Sequence, residues 1–252
     1  MNSKDELAQK VQTSKPFVFD PPLVKGRLLK RYKRFFADVR LSDGQVVTSH
    51  CGNTGSMTGL LEDESEVWLQ YRGTRGRKLA WSWELASQDG HLVGVNTTLP
   101  NRLVHDAIME GFIGRLAGYR ESRREVKLGD SRLDIALDDH AEDPRRCVVE
   151  VKNVTLARGS LALFPDSVTA RGLKHLGTLS EAAESGLRAV QFYLVQRMDC
   201  DAFAPAWAVD PAYAGALVNA RSRGVEIVAF EAQISPASIA LIRELPVVLE
   251  GP

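Results

Sequence analysis

Three charged residues sit where strands should be apolar. Asp134 lies inside the run Ser131–Leu137 (SRLDIAL), and Glu150 and Lys152 lie inside Cys147–Lys152 (CVVEVK). Both runs are rich in Val, Leu and Ile and are flanked by charged turns, which predicts strands. Glu150 and Lys152 are two apart, so their side chains leave the same face of a strand, roughly 6.5–7 Å from one another, while Val149 and Val151 face the other way. A charge in mid-strand is costly unless it is paired or binds something. Converging carboxylates repel each other unless a cation sits between them, and hard oxygen ligands favour Mg2+ or Mn2+. A lysine beside such a cation orients a water and stabilises charge growing on a phosphate. Asp134, Glu150 and Glu110, the last on a preceding helix, are therefore the expected metal ligands. With Lys152 they make the expected catalytic set for phosphodiester hydrolysis. The same residues also fit a plainer arrangement, a surface Glu150–Lys152 ion pair with Asp134 capping a turn.

These side chains need elements to position them. Apolar residues at Leu103, Val104, Ala107, Ile108, Phe112, Ile113 and Leu116 predict a helix over Asn101–Tyr119, which carries Glu110. Arg123–Lys127 and Ser131–Leu137 flank a Gly129-Asp130 turn and predict a hairpin, with Cys147–Lys152 as third strand. Asp166–Ser185 reads as the next helix, capped by Asp166 or Ser167. On it Lys174, more than His175, is expected to face the site. Strands at Ala189–Gln196 and Val225–Phe230 flank a helix at Pro211–Ser222. Ser235-Pro236 predicts the start of a final short helix. The order α-β-β-β-α-β-α-β implies a mixed sheet with helices packed on it.

The N-terminal part has a different texture. From Leu23 to about Ala86, short apolar segments alternate with turns at Ser42-Asp43-Gly44, Gly52–Gly55 and Gly73–Gly76. That spacing suggests a small closed barrel of the OB type. The expected division is a tail at 1–15, an OB-like DNA-binding barrel at 16–95 and a second domain at 96–252. Residues 25–34 (KGRLLKRYKR) hold six basic residues and no acid. Arg27, Lys30, Arg31, Tyr32, Lys33 and Arg34, with a second cluster at Arg75, Arg77 and Lys78, are the expected nucleic-acid contacts. Tyr32 or Phe35 is available to stack on a base. Such binding is largely non-specific in sequence and sensitive to salt. A solvated strand face with Phe35 and Phe36 in the core is the alternative. The loop Gly52–Gly59 lacks the Lys-Ser/Thr ending of a nucleotide-hydrolysing loop. His50-Cys51 has no second pair to complete a zinc site.

Bulk properties agree with one large or two small globular domains: 252 residues, 44% apolar, 25% charged and a formal net charge of zero. No apolar run is long enough to span a bilayer, and the first residues are not a signal peptide. Three scattered cysteines point to a reducing cytoplasm.

The αβββαβ order with Asp134 and Glu150-x-Lys152 on the second and third strands resembles the PD-(D/E)XK nuclease fold, with Leu133 where that motif usually has Pro. Many nucleases of that fold pair, which admits a homodimer, although no exposed apolar stripe marks an interface. More specifically, RYKRFFADV, HCGNTGSM, YRGTRGRKLAWSWEL, NTTLPNRLVHDAI, RREVKLGDSRLDIAL, VVEVKNVTL and FPDSVTARGLKHLGTL occur in order and resemble the signature blocks of the sugar fermentation stimulation protein A (SfsA) family. Gly52 departs from that pattern, which usually has Pro there. The resemblance implies an N-terminal OB-like DNA-binding domain and a C-terminal PD-(D/E)XK-like domain of mixed α/β (α+β) class. It places Asp134, Glu150 and Lys152 at the nuclease-like positions, with Glu110 as a fourth member. It also implies DNA as partner, and, as the alternative to a nuclease, a non-enzymatic DNA-binding regulator of sugar, notably maltose, metabolism.

Overall fold

The computed structural model describes residues 12–251, so most of the tail expected at 1–15 lies outside the described residues. Strand β1 (Phe17–Val18) comes first, followed by β2 (Leu23–Tyr32), β3 (Phe36–Leu41), β4 (Val46–Cys51), β5 (Glu66–Tyr71), β6 (Trp81–Gln88) and β7 (His91–Gly94). Strands β2–β7 form a sheet in the order β4-β3-β2-β5-β6-β7, and a parallel β4–β6 pairing closes five of them into a barrel. Period-two alternation sends Ala37, Val39, Val47, Cys51, Val67, Leu69 and Trp83 into its core. Gly26 is required where β2 crosses β3, because a Cβ there would meet Val39 Cγ1 at 2.5 Å.

The second domain begins with α1 (Pro100–Met109) and continues through β8 (Tyr119–Leu128), β9 (Ser131–His140), β10 (Cys147–Val154), β11 (Leu156–Arg158) and β12 (Leu161–Phe164). It then runs α2 (Ala170–Glu184), β13 (Arg188–Val195), β14 (Ala202–Pro205), α3 (Pro211–Ser222), β15 (Glu226–Ile234) and β16 (Ser238–Leu245). Its main sheet has the mixed order β1-β16-β15-β13-β10-β9-β8, and a small sheet β11-β12-β14 lies beside it. Helix α1 covers one face, against Val149, Val151, Phe192 and Leu194. Helices α2 and α3 cover the other, against Val148, Tyr193 and Val195. The fold class is therefore the expected one, an OB barrel followed by a PD-(D/E)XK-like mixed sheet with helices. Among the described residues no helix is long and apolar enough to cross a membrane, and Cys51, Cys147 and Cys200 are free and buried.

Three local expectations change. Strand β1, placed by sequence with the barrel, pairs antiparallel with β16 at the edge of the larger sheet. Ser235-Pro236 starts no helix; it turns β15 back into β16, with Ser235 N and Ser238 O bonded at 2.9 Å. Ser-Pro serves equally well at a turn, and the apolar return strand SIALIREL decides between them. Helix α1 ends at Met109, ten residues earlier than its apolar periodicity suggests. Gly111 takes φ +77°, and the bonds Gly111 N to Ile108 O and Phe112 N to Ala107 O close a Schellman cap.

Candidate active site

Strands β9 and β10 stay paired as far as Val149 opposite Ile135. Continuing that register puts Glu150 opposite Asp134, with both side chains on one face of the sheet. The ladder ends there, and Asp134 Oδ2 accepts the Val151 amide at 2.8 Å instead. Asp134 Oδ1 accepts from Asn101 Nδ2 at 2.6 Å, at the first turn of α1 just after Pro100. Glu150 is 2% exposed. Its Oε1 accepts from Lys152 Nζ at 2.6 Å and from His175 Nδ1 on α2. Arg171 Nε donates to His175 Nε2 at 3.4 Å, which leaves Nδ1 to carry the imidazole proton toward Glu150. Among the described residues Glu150 Oε2, which is buried, has no partner. On the neighbouring strand Gln191, the Cα partner of Glu150, donates to Glu150 O at 3.0 Å and leaves its own Oε1 without a partner.

Asn101, Asp134, Glu150, Lys152 and Arg171 line a cleft of about 490 Å³ between the two domains. The barrel contributes Arg34, Asn53, Thr54 and Gly55 to its wall. Arg31 Nη2 holds that loop by donating to Asn53 O at 2.8 Å and Gly55 O at 3.1 Å. Asp166 ties the loop to the second domain, accepting from Met57 N at 2.9 Å through Oδ2 and from Ser56 Oγ at 2.6 Å through its carbonyl. A Cβ on Gly55 would lie 2.7 Å from Asp166 Oδ2, so only glycine allows this approach. Asp166 is thus an interdomain clasp rather than the cap of α2; Thr169 Oγ1 caps that helix, accepting from Gly172 N at 3.0 Å.

Electrostatics separate the two carboxylates. Burial, then the charge of Glu150, pushes the Asp134 carboxyl up to about 6. Burial alone would raise Glu150 too, but the His175 hydrogen bond and the Lys152 ammonium outweigh it and hold that carboxyl below its ordinary value. A carboxylate disfavoured as an anion by burial and by the charge of its ionised neighbour is what a cation would relieve. Among the described residues no three His, Cys, Asp or Glu side chains cluster as a ready-made metal centre. Two carboxylates are nonetheless the usual protein share for Mg2+, which keeps several waters.

Glu110 is not brought to this site. It caps the far end of α1, about 13 Å along the axis from Asn101 at 1.5 Å per residue, and its Oε1 accepts from Lys15 N at 2.8 Å.

Residues 29–95 match the family described as "SfsA N-terminal OB domain", and residues 98–238 match "Sugar fermentation stimulation protein RE domain". The chain belongs to the sugar fermentation stimulation protein family. It is 51% identical over 224 residues to the sugar fermentation stimulation protein homolog of Paramagnetospirillum magneticum, covering 88% of this chain and 94% of the relative. The homolog from Geobacter metallireducens is 50% identical over 230 residues, covering 90% and 98%. A solved structure of Pyrococcus furiosus SfsA in complex with Ca2+ matches with a TM-score of 0.85 at 25% identity, over 94% of this chain and 99% of that one.

Within this family member the basic residues read from the sequence fall into separate groups. Lys25 and Arg27 pair with Glu66, and Lys30 pairs with Asp38. Tyr32 stacks on Phe36 at 5.5 Å and its hydroxyl donates to Asp38. Arg31 is spent on the cleft loop. Lys33 and Arg34 form the β2–β3 turn at φ +48° and +63°, with Arg34 on the cleft wall. Arg75, Arg77 and Lys78 lie on the β5–β6 loop. On α2 the ranking of two neighbours reverses: Lys174 reaches out to Asp130 O at 2.9 Å, while His175 joins the site. Asn101 and Gln191 escaped the sequence reading, since nothing but tertiary placement distinguishes them from other polar residues.

Proposed function

We propose that this protein binds DNA and hydrolyses its phosphodiester bonds with Mg2+ or Mn2+ held by Asp134 and Glu150. The carrying observation is Glu150 Oε2, buried without a partner beside Asp134, whose carboxyl is pushed up to about 6. The Ca2+ in the Pyrococcus furiosus relative supports a divalent cation. Such a cation supplies an activated water and neutralises charge on the phosphate. Asn101 and the Val151 amide fix Asp134, while His175, backed by Arg171, fixes Glu150. Lys152 Nζ, part-buried against Glu150, is placed to orient the attacking water and to meet charge developing on the phosphoryl oxygens. Arg34, on the opposite wall, neutralises a neighbouring phosphate.

The test is nicking of supercoiled plasmid in Mn2+ or Mg2+ by the wild type and by Asp134→Ala and Lys152→Ala. Cation-dependent nicking lost in both variants is the expected result. Intact DNA with either cation, or variants that cut like the wild type, would leave the DNA-binding regulator as the better reading.

A further inference from the structure

A second cavity, of about 560 Å³, lies on the barrel above the seam where β4 and β6 close it. Phe36, His50 and Ser82 are cross-strand partners on β3, β4 and β6, so their side chains leave the barrel in a row and line the cavity. Phe35, 46% exposed, adds aromatic surface beside Phe36, while Trp83 is buried in the barrel core. Arg72, Arg77 and Lys78 from the β5–β6 loop stand at the rim. Arg72 is anchored by the buried Glu84 carboxylate at 3.4 Å, which also accepts from Asn96 Nδ2 at 2.7 Å. Among the described residues the side chains of Arg77, Lys78, His50 and Ser82 form no hydrogen bond or ion pair, in contrast to Lys25, Arg27 and Lys30.

This cavity backs onto the acidic cleft. Arg34 lines the cleft and Phe35 the cavity; Asn53 the cleft and Gly52 the cavity; Thr97 the cleft and Thr98 the cavity. Three pairs of adjacent residues thus form one shared wall, and consecutive Cα atoms are only about 3.8 Å apart.

We propose that the barrel cavity receives one unstacked base of a single DNA strand, with its phosphate on Arg77 and Lys78, and so makes this protein prefer single-stranded or unpaired DNA over intact duplex. The inference rests on the DNA-binding reading and specifies the form of DNA. Aromatic walls offer the π faces on which any base stacks, and free cations at the rim meet the backbone. His50 and Ser82 present unpaired polar groups to the edge of the base. A base held in a duplex cannot enter such a pocket without leaving its stack. The volume lies in the range of about 300–1,000 Å³ typical of sites for small ligands. A strand seated this way carries its neighbouring phosphates across the shared wall toward Asp134 and Glu150.

The experiment is fluorescence anisotropy with a labelled short single strand and the matching blunt duplex, in EDTA so that nothing is cut. Wild type should bind the single strand more tightly. Phe35→Ala, at a half-exposed position, should lose about tenfold on the single strand, the scale of one lost base stack, and nothing on the duplex. Phe35→Trp should restore the preference. Equal affinity of the wild type for both forms, or an equal loss on both in Phe35→Ala, would overturn the pocket while DNA binding stands. Binding to neither form would overturn both.

Discussion

The interdomain cleft and the barrel cavity are similar in size and opposite in chemistry. In the cleft, charges are buried and immobilised: Glu150 is held by Lys152 and His175, and Asp134 by Asn101 and the Val151 amide. In the cavity, Arg77 and Lys78 stand free on a loop between Gly73 and Gly76 on one side and β6 on the other. Fixed, desolvated charge suits a reaction, because it needs no reorganisation when charge develops on a substrate. Free, hydrated charge suits capture of a polyanion, where counterion release supplies the affinity. On the proposed function, the difference lets burial set the residues of the reaction apart from those that hold the substrate.

Substitutions should divide along the same line. The largest effect is expected for Lys152→Ala, which should lower cation-dependent DNA cleavage by about 10²–10⁴-fold while leaving DNA affinity in EDTA nearly unchanged. A loss of affinity matching the loss of cleavage would erase the distinction between the two regions. Next, His175→Ala should destabilise the protein by about 1–3 kcal/mol in chemical denaturation, since it strips a donor from a buried carboxylate. Its exposed neighbour Lys174→Ala should stay within about 0.5 kcal/mol.

A pH effect follows from Asp134. Its folded carboxyl titrates near 6 against an ordinary value of 3.8, so the fold favours the protonated form. The contribution of Asp134 to the stability of the cation-free protein should therefore be greatest below that interval and be lost as pH rises through it. Asp134→Asn should remove this loss in a series of melts in EDTA, and an unchanged profile would place the burden elsewhere. The smallest effect belongs to the cavity rim: Arg77→Ala or Lys78→Ala should each flatten the slope of log affinity against log salt by about 0.7–0.9 and leave cleavage at saturating DNA intact.

Much of the cleft was readable because strands have a period of two. Any register that buries Val149 and Val151 sets Glu150 and Lys152 together, and the β9–β10 pairing then selects Asp134. Helix α3 was equally plain, with Asp210 as cap and Pro211 in the first turn. Glu110 misled because apolar spacing puts it on α1 without revealing which end of the helix meets the sheet: Asn101 in the first turn reaches Asp134, and Glu110 lies at the opposite end. Lys174 and His175 show a finer limit. Adjacent residues on a helix point about 100° apart, and only packing of α2 on the sheet decides which of them looks inward. The basic run 25–34 read as one patch because sequence does not reveal that Glu66 and Asp38 pair with three of its six basic residues across the barrel strands.

At the centre of the account stands the unpartnered oxygen of Glu150 as a cation ligand. Titration calorimetry with Mn2+ tests it without any DNA. The wild type should take up one Mn2+ per chain, and Glu150→Gln, which removes the charge but keeps the shape, should weaken that binding at least about tenfold. Wild type that takes up no Mn2+, or Glu150→Gln that binds it as tightly as the wild type, would contradict the account.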